Sequence, residues 1–501
     1  GQVLSVTALP LPDPYRVVFR TLQSDVPGWE PFDDVIQPML EKEFGKPLSE
    51  IFDYVNPIPC GAASIGQAHE ARLKQNDGEH DKVIIKVQYP DAAWKVPADI
   101  QCVGDFLKVC VWFGAVDESA ATMSFDEFSR QFLAELDYEK ERSNLQQIYE
   151  SSLDPTAPYM KRNVVVPKVV EDLCTKKIIT MTYLPGPKVE DEARRQLALL
   201  GIDTTKGIGS IVRDAAKDAS NPDEPESGEL VRRVTKRMET TNSGRSRSPF
   251  SWKLTASKIV GQVLGVDSIL WAVRFARRLV LWSQAAAVFS IQTLPSRIVS
   301  PGLNSWADTH RSASEQAARL SLTKEWMDAL FDVHGHQIFN LGLFNADPHP
   351  GNILVINEND ARPSTKLGLI DFGQCKRLTP QEQVKVARLL LSVAHNESDL
   401  AVASAFRDMG ITTKNDSTEF LAKFGRLMFG PLKPEHLNHS WHRTLHEQDR
   451  VSYFPKELSM VYRTSLLLRG LAVSLQLNYS ISDQWKHHAQ ETMERNNISS
   501  S

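Results

Sequence analysis

The sequence predicts an α+β protein of two lobes, a small β-rich lobe with added helices followed by a large helical lobe. Three patterns carry that prediction. Short strand-like runs, Glu70-Ala-Arg-Leu73, Val83-Ile-Ile-Lys86-Val-Gln88 and Lys177-Ile-Ile-Thr-Met-Thr-Tyr-Leu184, fall in the first 190 residues. Helical patterning dominates the far end, over Gln381–Glu491. More than 100 residues of different composition separate the two.

The elements can be justified in order. Cys60-Gly61-Ala62-Ala63-Ser64-Ile-Gly-Gln-Ala-His69 is a run of small residues ahead of the first strand, and small side chains let backbone N–H groups approach a phosphate. Val83–Gln88 alternates like a half-buried strand, and Lys86 sits among β-branched neighbours where a solvated lysine is unusual. Phe125–Asn144 reads as one helix with Ser124 as N-cap and Glu127 at N3. Glu127, Gln131 and Glu135 recur every four residues, so either carboxylate can reach Lys86, with Glu127 the first choice. Glu139 and Glu141 read as a solvated face. The strand 177–184 ends in Pro-Gly-Pro, a hinge between lobes on which an adenine would sit.

The most informative stretch is Asp347-Pro-His-Pro-Gly-Asn352, followed nineteen residues after Asn352 by Asp371-Phe-Gly373. Each loop adjoins a short apolar strand, Ile353-Leu-Val355 and Leu367-Gly-Leu-Ile370. Phosphoryl transfer of the kinase type needs this set: a catalytic Asp347 orienting the attacking hydroxyl or water, and Asn352 with Asp371 holding the Mg²⁺ that bridges ATP phosphates. His349, between two prolines, reads as a brace of the loop. The two-lobed plan is therefore that of a protein-kinase-like fold, and Lys86 is its phosphate-binding lysine. After Gly373 only five residues precede Thr379-Pro-Gln-Glu, a helix start with Thr as N-cap and Pro at N1. No A-P-E triplet follows, so a peptide substrate is not expected.

Composition sets the outer limits. With 501 residues and 42% hydrophobic content, the chain can build two or three cores. Its five cysteines (Cys60, Cys102, Cys110, Cys174, Cys375) form no C-x-x-C pair, so neither zinc nor a disulfide framework is indicated. The net charge of −5 argues against general nucleic-acid binding, and no run of 18 apolar residues suggests an ordinary spanning helix. Charge is nonetheless uneven. Asn221–Glu229 is an acidic, Pro-rich linker, whereas Val231–Ile298 holds twelve Lys or Arg against Glu239 and Asp267. Within it Ile269–Trp282 sets Arg274, Arg277 and Arg278 on one helical face and Trp and apolar side chains on the other, the composition of an interfacial helix at an anionic membrane surface. A helical hairpin covering the large lobe is the competing reading.

These residues resemble the ADCK/UbiB family of atypical kinases, whose members support ubiquinone and related prenyl-quinone biosynthesis. Gly61–His69 looks like the family's alanine-rich loop, Lys86-Val-Gln-Tyr-Pro90 its K-V-Q-x-P strand, Glu135-Leu-Asp137 its E-x-D motif and Asn345–Asn352 its catalytic loop. Gly1-Gln2 resembles the second half of its K-x-G-Q motif, whose Lys would lie just ahead of Gly1 and engage Glu135. The family usually has Ala where Gly61 stands. The resemblance implies ATP and Mg²⁺ as cofactors, with Gly61, Ala62, Ala63, Ser64, Lys86 and Glu135 at the nucleotide, to which the helix reading adds Glu127. It also implies a lipid or prenyl-phenol substrate, quinone-biosynthesis proteins as partners, and a place on the matrix side of the mitochondrial inner membrane, or in a plastid. It divides the chain into an N-terminal helical extension (1–55), a small lobe (56–186), the start of the large lobe (187–220), the insertion (221–300) and the rest of the large lobe (301–490). Two other readings fit the same loops: a small-molecule phosphotransferase of the aminoglycoside or choline kinase type, and a nucleotide-gated lipid-binding scaffold.

Overall fold

A computed structural model of the chain describes residues 29–199, 322–356 and 366–496, apart from residue 64, residues 75–80, most of 113–131 and a few positions between 432 and 478. Gly1-Gln2, Ser64, Glu127 and the basic insertion lie outside the described residues.

The small lobe is an antiparallel sheet in the order β1 (Phe52–Val55), β3 (Gly66–Leu73), β4 (Lys82–Gln88), β6 (Ile178–Thr182), with β2 (Gly61–Ala62) folded back on β3. Strand alternation decides what each face does. Val83, Ile85 and Val87 are fully buried and pack with Ile36, Leu40 and Phe52 beneath helix α1 (Gln37–Phe44) and the short α2 (Leu48–Ile51). Their neighbours Ile84, Lys86 and Gln88 therefore point to the opposite face. There the sheet meets α3 (Ala92–Trp112) and α4 (Tyr138–Ser152) at its edge and the large lobe below.

The segment that enters the small lobe is clipped to β3 by one side chain. Gln67 accepts from the Glu30 amide at 2.9 Å and donates to the Glu30 carbonyl at 3.1 Å. His69, beside it at 2.8 Å, reaches the Asn56 carbonyl at 2.7 Å, and burial holds its imidazole below the usual range against that bond. Part of the small-residue run thus anchors the chain rather than facing a phosphate.

The expected helix over Phe125–Asn144 is two pieces. Residues 132–135 are helical, the chain turns at Leu136, and Asp137 caps a new helix by accepting from the Lys140 amide at 3.0 Å. The break re-aims everything that follows. Tyr138, Glu141, Asn144, Leu145 and Ile148 form the buried stripe of α4, so Glu141 is not on a solvated face.

In the large lobe, α5 (Val189–Leu199) follows the hinge and α6, over residues 322–335, carries Trp326, Leu330 and Phe331 into the main core. A wide turn at His336–Leu341 leads to β7 (Leu343–Asn345). Two small ladders hold the loops: β8 (Ile353–Val355) antiparallel to β9 (Leu367–Leu369), with β5 (Val164–Val165) parallel to β9, and β10 (Cys375–Arg377) antiparallel to β7. Helices α7 (Pro380–Ala394), α8 (Asp399–Asp408), α9 (Thr418–Phe429), α10 (His439–Gln448), α11 (Lys456–Ser474) and α12 (Ile481–Arg495) complete the lobe. Thr379 caps α7 with Pro380 at N1, as the sequence leads one to expect, and Glu382 completes a capping box with it. No helix among the described residues is long and apolar enough to cross a membrane.

Candidate active site

Asn352 and Asp371 become neighbours because of the β8–β9 ladder. Ile353 lies opposite Leu369, so the residue before β8 and those just after β9 share one end, closed by a bond from the Ile370 amide to the Asn352 carbonyl at 3.1 Å. The other loop is tied to the same place. Asn345, at the end of β7, donates to the Asp371 carbonyl at 2.8 Å and accepts from the Asp347 amide at 2.9 Å. Its own amide bonds Gln337, fully buried, which bonds the Tyr159 hydroxyl at 3.0 Å. The catalytic loop is thus braced from below by Gln337 and Tyr159. His349 accepts from the Gly351 amide at 3.1 Å, the brace the sequence suggested.

Lys86 reaches into this cleft from β4. Its Nζ donates to Glu141 Oε1 at 2.7 Å and Oε2 at 2.9 Å, and lies 3.8 Å from Asp371 Oδ2. The ring of Tyr138 lies under the ammonium, 5.3 Å to its centre. Burial opposes the lysine's charge, but Asp371 and Glu141 outweigh it and hold Lys86 above the usual lysine range. Burial raises the Glu141 carboxyl, opposed by Lys86 and reinforced by Asp371. The sequence assigned the Lys86 partner to Glu127, which lies outside the described residues, and reserved Glu135 for the N-terminal extension; the carboxylate that meets Lys86 in the structure is Glu141, which the sequence reading sets on a solvated face. The bend at Asp137 turns the helix so that the carboxylate one turn into α4 is the one that arrives.

Glu135 has another role. Its Oε1 accepts from Gln374 Nε2 at 2.7 Å, tying the end of the broken helix to the residue after Gly373. Burial raises its carboxyl first, Gln374 opposes, and Asp371 and Asp347 add to the rise, so the three carboxylates sense one another in one cleft. Nearby, Gln88 donates to the Leu136 carbonyl at 3.1 Å and Asn144 to the Phe372 carbonyl at 3.2 Å. These bonds hold the bend of the helix and the metal loop against the sheet.

Asp347 is mostly buried, with Arg463 of α11 at 3.2 Å from its Oδ1. Burial raises the Asp347 carboxyl, Arg463 and His349 pull it back, and Asp371 pushes it up again. Gly61, Ala62 and Ala63 form the turn from β2 toward β3, closed by the Ala63 amide on the Gly66 carbonyl at 2.8 Å. Among the described residues a Cβ at Gly61 would meet nothing within 4 Å, whereas one at Gly66 would press against the Val87 carbonyl and lie 2.7 Å from the Tyr138 hydroxyl. The close approach of β3 to β4 over Tyr138 therefore requires glycine at 66.

This donor set fits a nucleotide with Mg²⁺. One Asp371 oxygen is engaged by the Gly373 amide at 3.0 Å while the other faces the cleft near Lys86. Asp371 and Asn352 would hold the metal, a hard cation that takes oxygen ligands and phosphate oxygens, and Lys86 would meet the phosphates. Arg463, Glu141, Gln88 and Gln374 were not singled out as site residues from the sequence. Only Glu141 left a readable signal, the 141, 144, 145, 148 spacing of a buried helical stripe.

Known proteins resemble part of this chain. A probable protein kinase UbiB of Shewanella piezotolerans is 32% identical over 197 residues, 38% of this chain and 33% of that protein. AarF domain-containing protein kinase 1 of Xenopus laevis is 31% identical over 195 residues, 38% and 34% of the two chains. The mitochondrial atypical kinase COQ8B of Rattus norvegicus is 32% identical over 190 residues, 37% and 33%. The matched region spans about a third of the length of each of these relatives. The profile of the ABC1 atypical kinase-like domain matches residues 21–211 and 308–405, more than half of the sequence. The chain belongs to the ABC1 atypical kinase-like family, with the kinase-like fold of that domain.

Proposed function

We propose that the chain binds ATP with Mg²⁺ and acts as an atypical kinase or ATPase serving ubiquinone or another prenyl-quinone pathway, on a quinone-precursor lipid, a prenyl-phenol or the proteins that handle them. The observation that carries the reading is the Lys86–Glu141 pair within reach of Asp371, beside Asp347 held by Arg463. Such a constellation positions phosphates and an acceptor, and phosphoryl transfer asks little else of a protein. The link of five residues from Gly373 to Thr379 supports a small or lipid acceptor over a peptide, since it leaves no platform on which a peptide could lie.

The substrate and place are inferred from relatives and charge. Relatives named UbiB and COQ8B support the quinone assignment, and the mitochondrial location carried in the rat protein's name supports the matrix side of the inner membrane, with a plastid as the alternative. The basic stretch Val231–Ile298 supports binding to an anionic membrane surface. The test is ATP hydrolysis with and without anionic liposomes and prenyl-phenol compounds. Turnover that rises with either and disappears in Asp347→Asn is the expected result. Nucleotide binding without turnover under every condition would instead support a nucleotide-gated scaffold.

A further inference from the structure

A second cluster of ligating side chains lies outside the cleft, where α12 crosses α6. His487 and His488 are adjacent on α12, their rings 3.8 Å apart and tilted by 39°. Both aim Nε2 at one oxygen: His487 lies 3.0 Å and His488 2.9 Å from Asp332 Oδ1. All three ligand atoms lie within 4.8 Å of one another. The other carboxylate oxygen is taken by Arg162 Nε at 2.7 Å, which fixes the plane of Asp332 and presents Oδ1 to the histidines. We propose that Asp332, His487 and His488 bind a divalent transition-metal ion of the zinc class, fastening α12 to α6.

Three observations favour a metal over a plain hydrogen-bonded clamp. The first is size: a tetrahedral ion with ligands at about 2.0–2.1 Å has ligand-to-ligand edges of about 3.3 Å, so the two edges from Asp332 to the histidines need to open by only a few tenths of an ångström. The second is the orphaned nitrogen. If a neutral His488 donates its Nε2 proton to Asp332, its buried Nδ1 is a bare acceptor with no hydrogen bond among the described residues, and its neighbour at 3.9 Å is the carboxylate of Glu491, another acceptor. A metal on Nε2 moves that proton to Nδ1, and Glu491 becomes the outer carboxylate that metal-bound histidines ordinarily have.

The third observation is access and ligand type. His487 is 53% exposed, which leaves a path from solvent and room for a water as fourth ligand, while His488 is buried. Two imidazoles and one carboxylate suit zinc and its neighbours and do not suit Mg²⁺ or Ca²⁺, which take oxygen ligands. The site differs in chemistry and place from the Asn352–Asp371 pair. Its role would be structural, because α6 runs directly into the turn at His336–Leu341 and from there to β7 and Asp347.

The experiment uses the full chain, stripped with a chelator and titrated with Co²⁺ while its visible ligand-field bands are followed. Zn²⁺ is then added as competitor, and Tm is recorded with and without Zn²⁺. The expected result is one equivalent of Co²⁺ with the strong bands of a four-coordinate site, displacement by Zn²⁺, and a higher Tm. His487→Gln, at an exposed position, should keep the Tm of the stripped protein and lose at least about tenfold in affinity. Glu491→Gln should weaken binding by about 10–100-fold, the usual effect of removing an outer partner. Absence of both bands and Tm rise in the unaltered protein overturns the proposal. So does His487→Gln protein that binds as tightly, whatever other group then takes the cobalt.

Discussion

Asp347 Oδ1 lies 3.2 Å from Arg463 Nη2, so the aspartate proposed to act on the acceptor shares its pocket with a guanidinium from α11. The pair sets the protonation of Asp347, because burial raises the carboxyl and Arg463 is the largest influence that lowers it. Removing the arginine takes away the larger of the two influences that oppose burial and leaves His349, so Asp347 holds its proton to higher pH. Arg463→Met should therefore move the acid limb of the kcat/KM profile for ATP turnover to higher pH. An unmoved limb would show that Asp347 is not the titrating base. Asp347→Asn should reduce turnover by about 10²–10⁴-fold while nucleotide Kd is kept.

Glu141→Gln should weaken ATP binding and lower stability by about 1.5–3 kcal/mol, since it removes a charge-assisted bond from a buried position. Glu127→Gln should change neither. Asp371→Asn should abolish the Mg²⁺ dependence of binding, because neutralising the phosphates through the metal then fails. Calorimetric titration of ATP with and without Mg²⁺ separates the three variants, and equal losses in Glu127→Gln and Glu141→Gln would contradict the pairing seen here.

The two glycines that bracket the small-residue turn should behave differently. Gly66→Ala forces a Cβ against the Val87 carbonyl and the Tyr138 hydroxyl, and should cost about 1–3 kcal/mol as overpacking. Gly61→Ala meets nothing among the described residues and should leave the denaturation midpoint unchanged. Urea unfolding of both variants checks this, with any effect of Gly61→Ala then confined to nucleotide affinity.

Asp449 supplies a pH dependence of stability. It is 2% exposed and accepts from Thr413 Oγ1 and the amides of Asn415, Ser417 and Arg450. Burial raises its carboxyl, but these donors prevail and bring it down to about 2. A carboxylate depressed on folding stabilises above its unfolded value, near 3.8, and that contribution disappears as pH falls toward 2. Asp449→Asn should lower stability at neutral pH by about 2 kcal/mol, from a shift of somewhat under two units at about 1.4 kcal/mol each. The loss should shrink below about pH 4. Chemical denaturation across pH measures it, and a pH-independent loss would assign the effect to packing.

The basic stretch predicts its own outcome. Deleting Val231–Ile298 should abolish flotation with anionic liposomes and leave the lobes folded, since each Lys or Arg near such a surface contributes about 1 kcal/mol. Reversing the charge of Arg274, Arg277 and Arg278, or raising salt, should weaken flotation in the intact chain. Flotation that survives the deletion would favour a helical cover on the large lobe.

What the sequence made legible was local. Asp347, Asn352 and Asp371 are found from spacing because each adjoins a short strand, and β8 and β9 then bring the loops together as expected. Lys86 is found from alternation, because the strand period separates it from Val83, Ile85 and Val87. The partner of Lys86 was missed because a helix drawn unbroken through Asp137 has a different phase from one that restarts there, and phase decides which carboxylate arrives. The cap at Asp137 is the signal that would have corrected it. Arg463 left no signal at all, since nothing in the pattern of α11 tells which loop its polar face will meet.

The ladder between β7 and β10 has a regulatory consequence. Residues 375–377 are paired to 343–345, and the Leu378 amide bonds the Gly342 carbonyl at 2.8 Å. In kinases that swing a long segment after the metal loop, a phosphate on that segment throws the switch. Here the corresponding backbone is pinned at nearly every residue, which leaves no segment to swing. If this chain turns over ATP as proposed, any on–off control would have to act elsewhere: on the approach of the lobes, on the helix that carries Glu141, or on entry to the cleft.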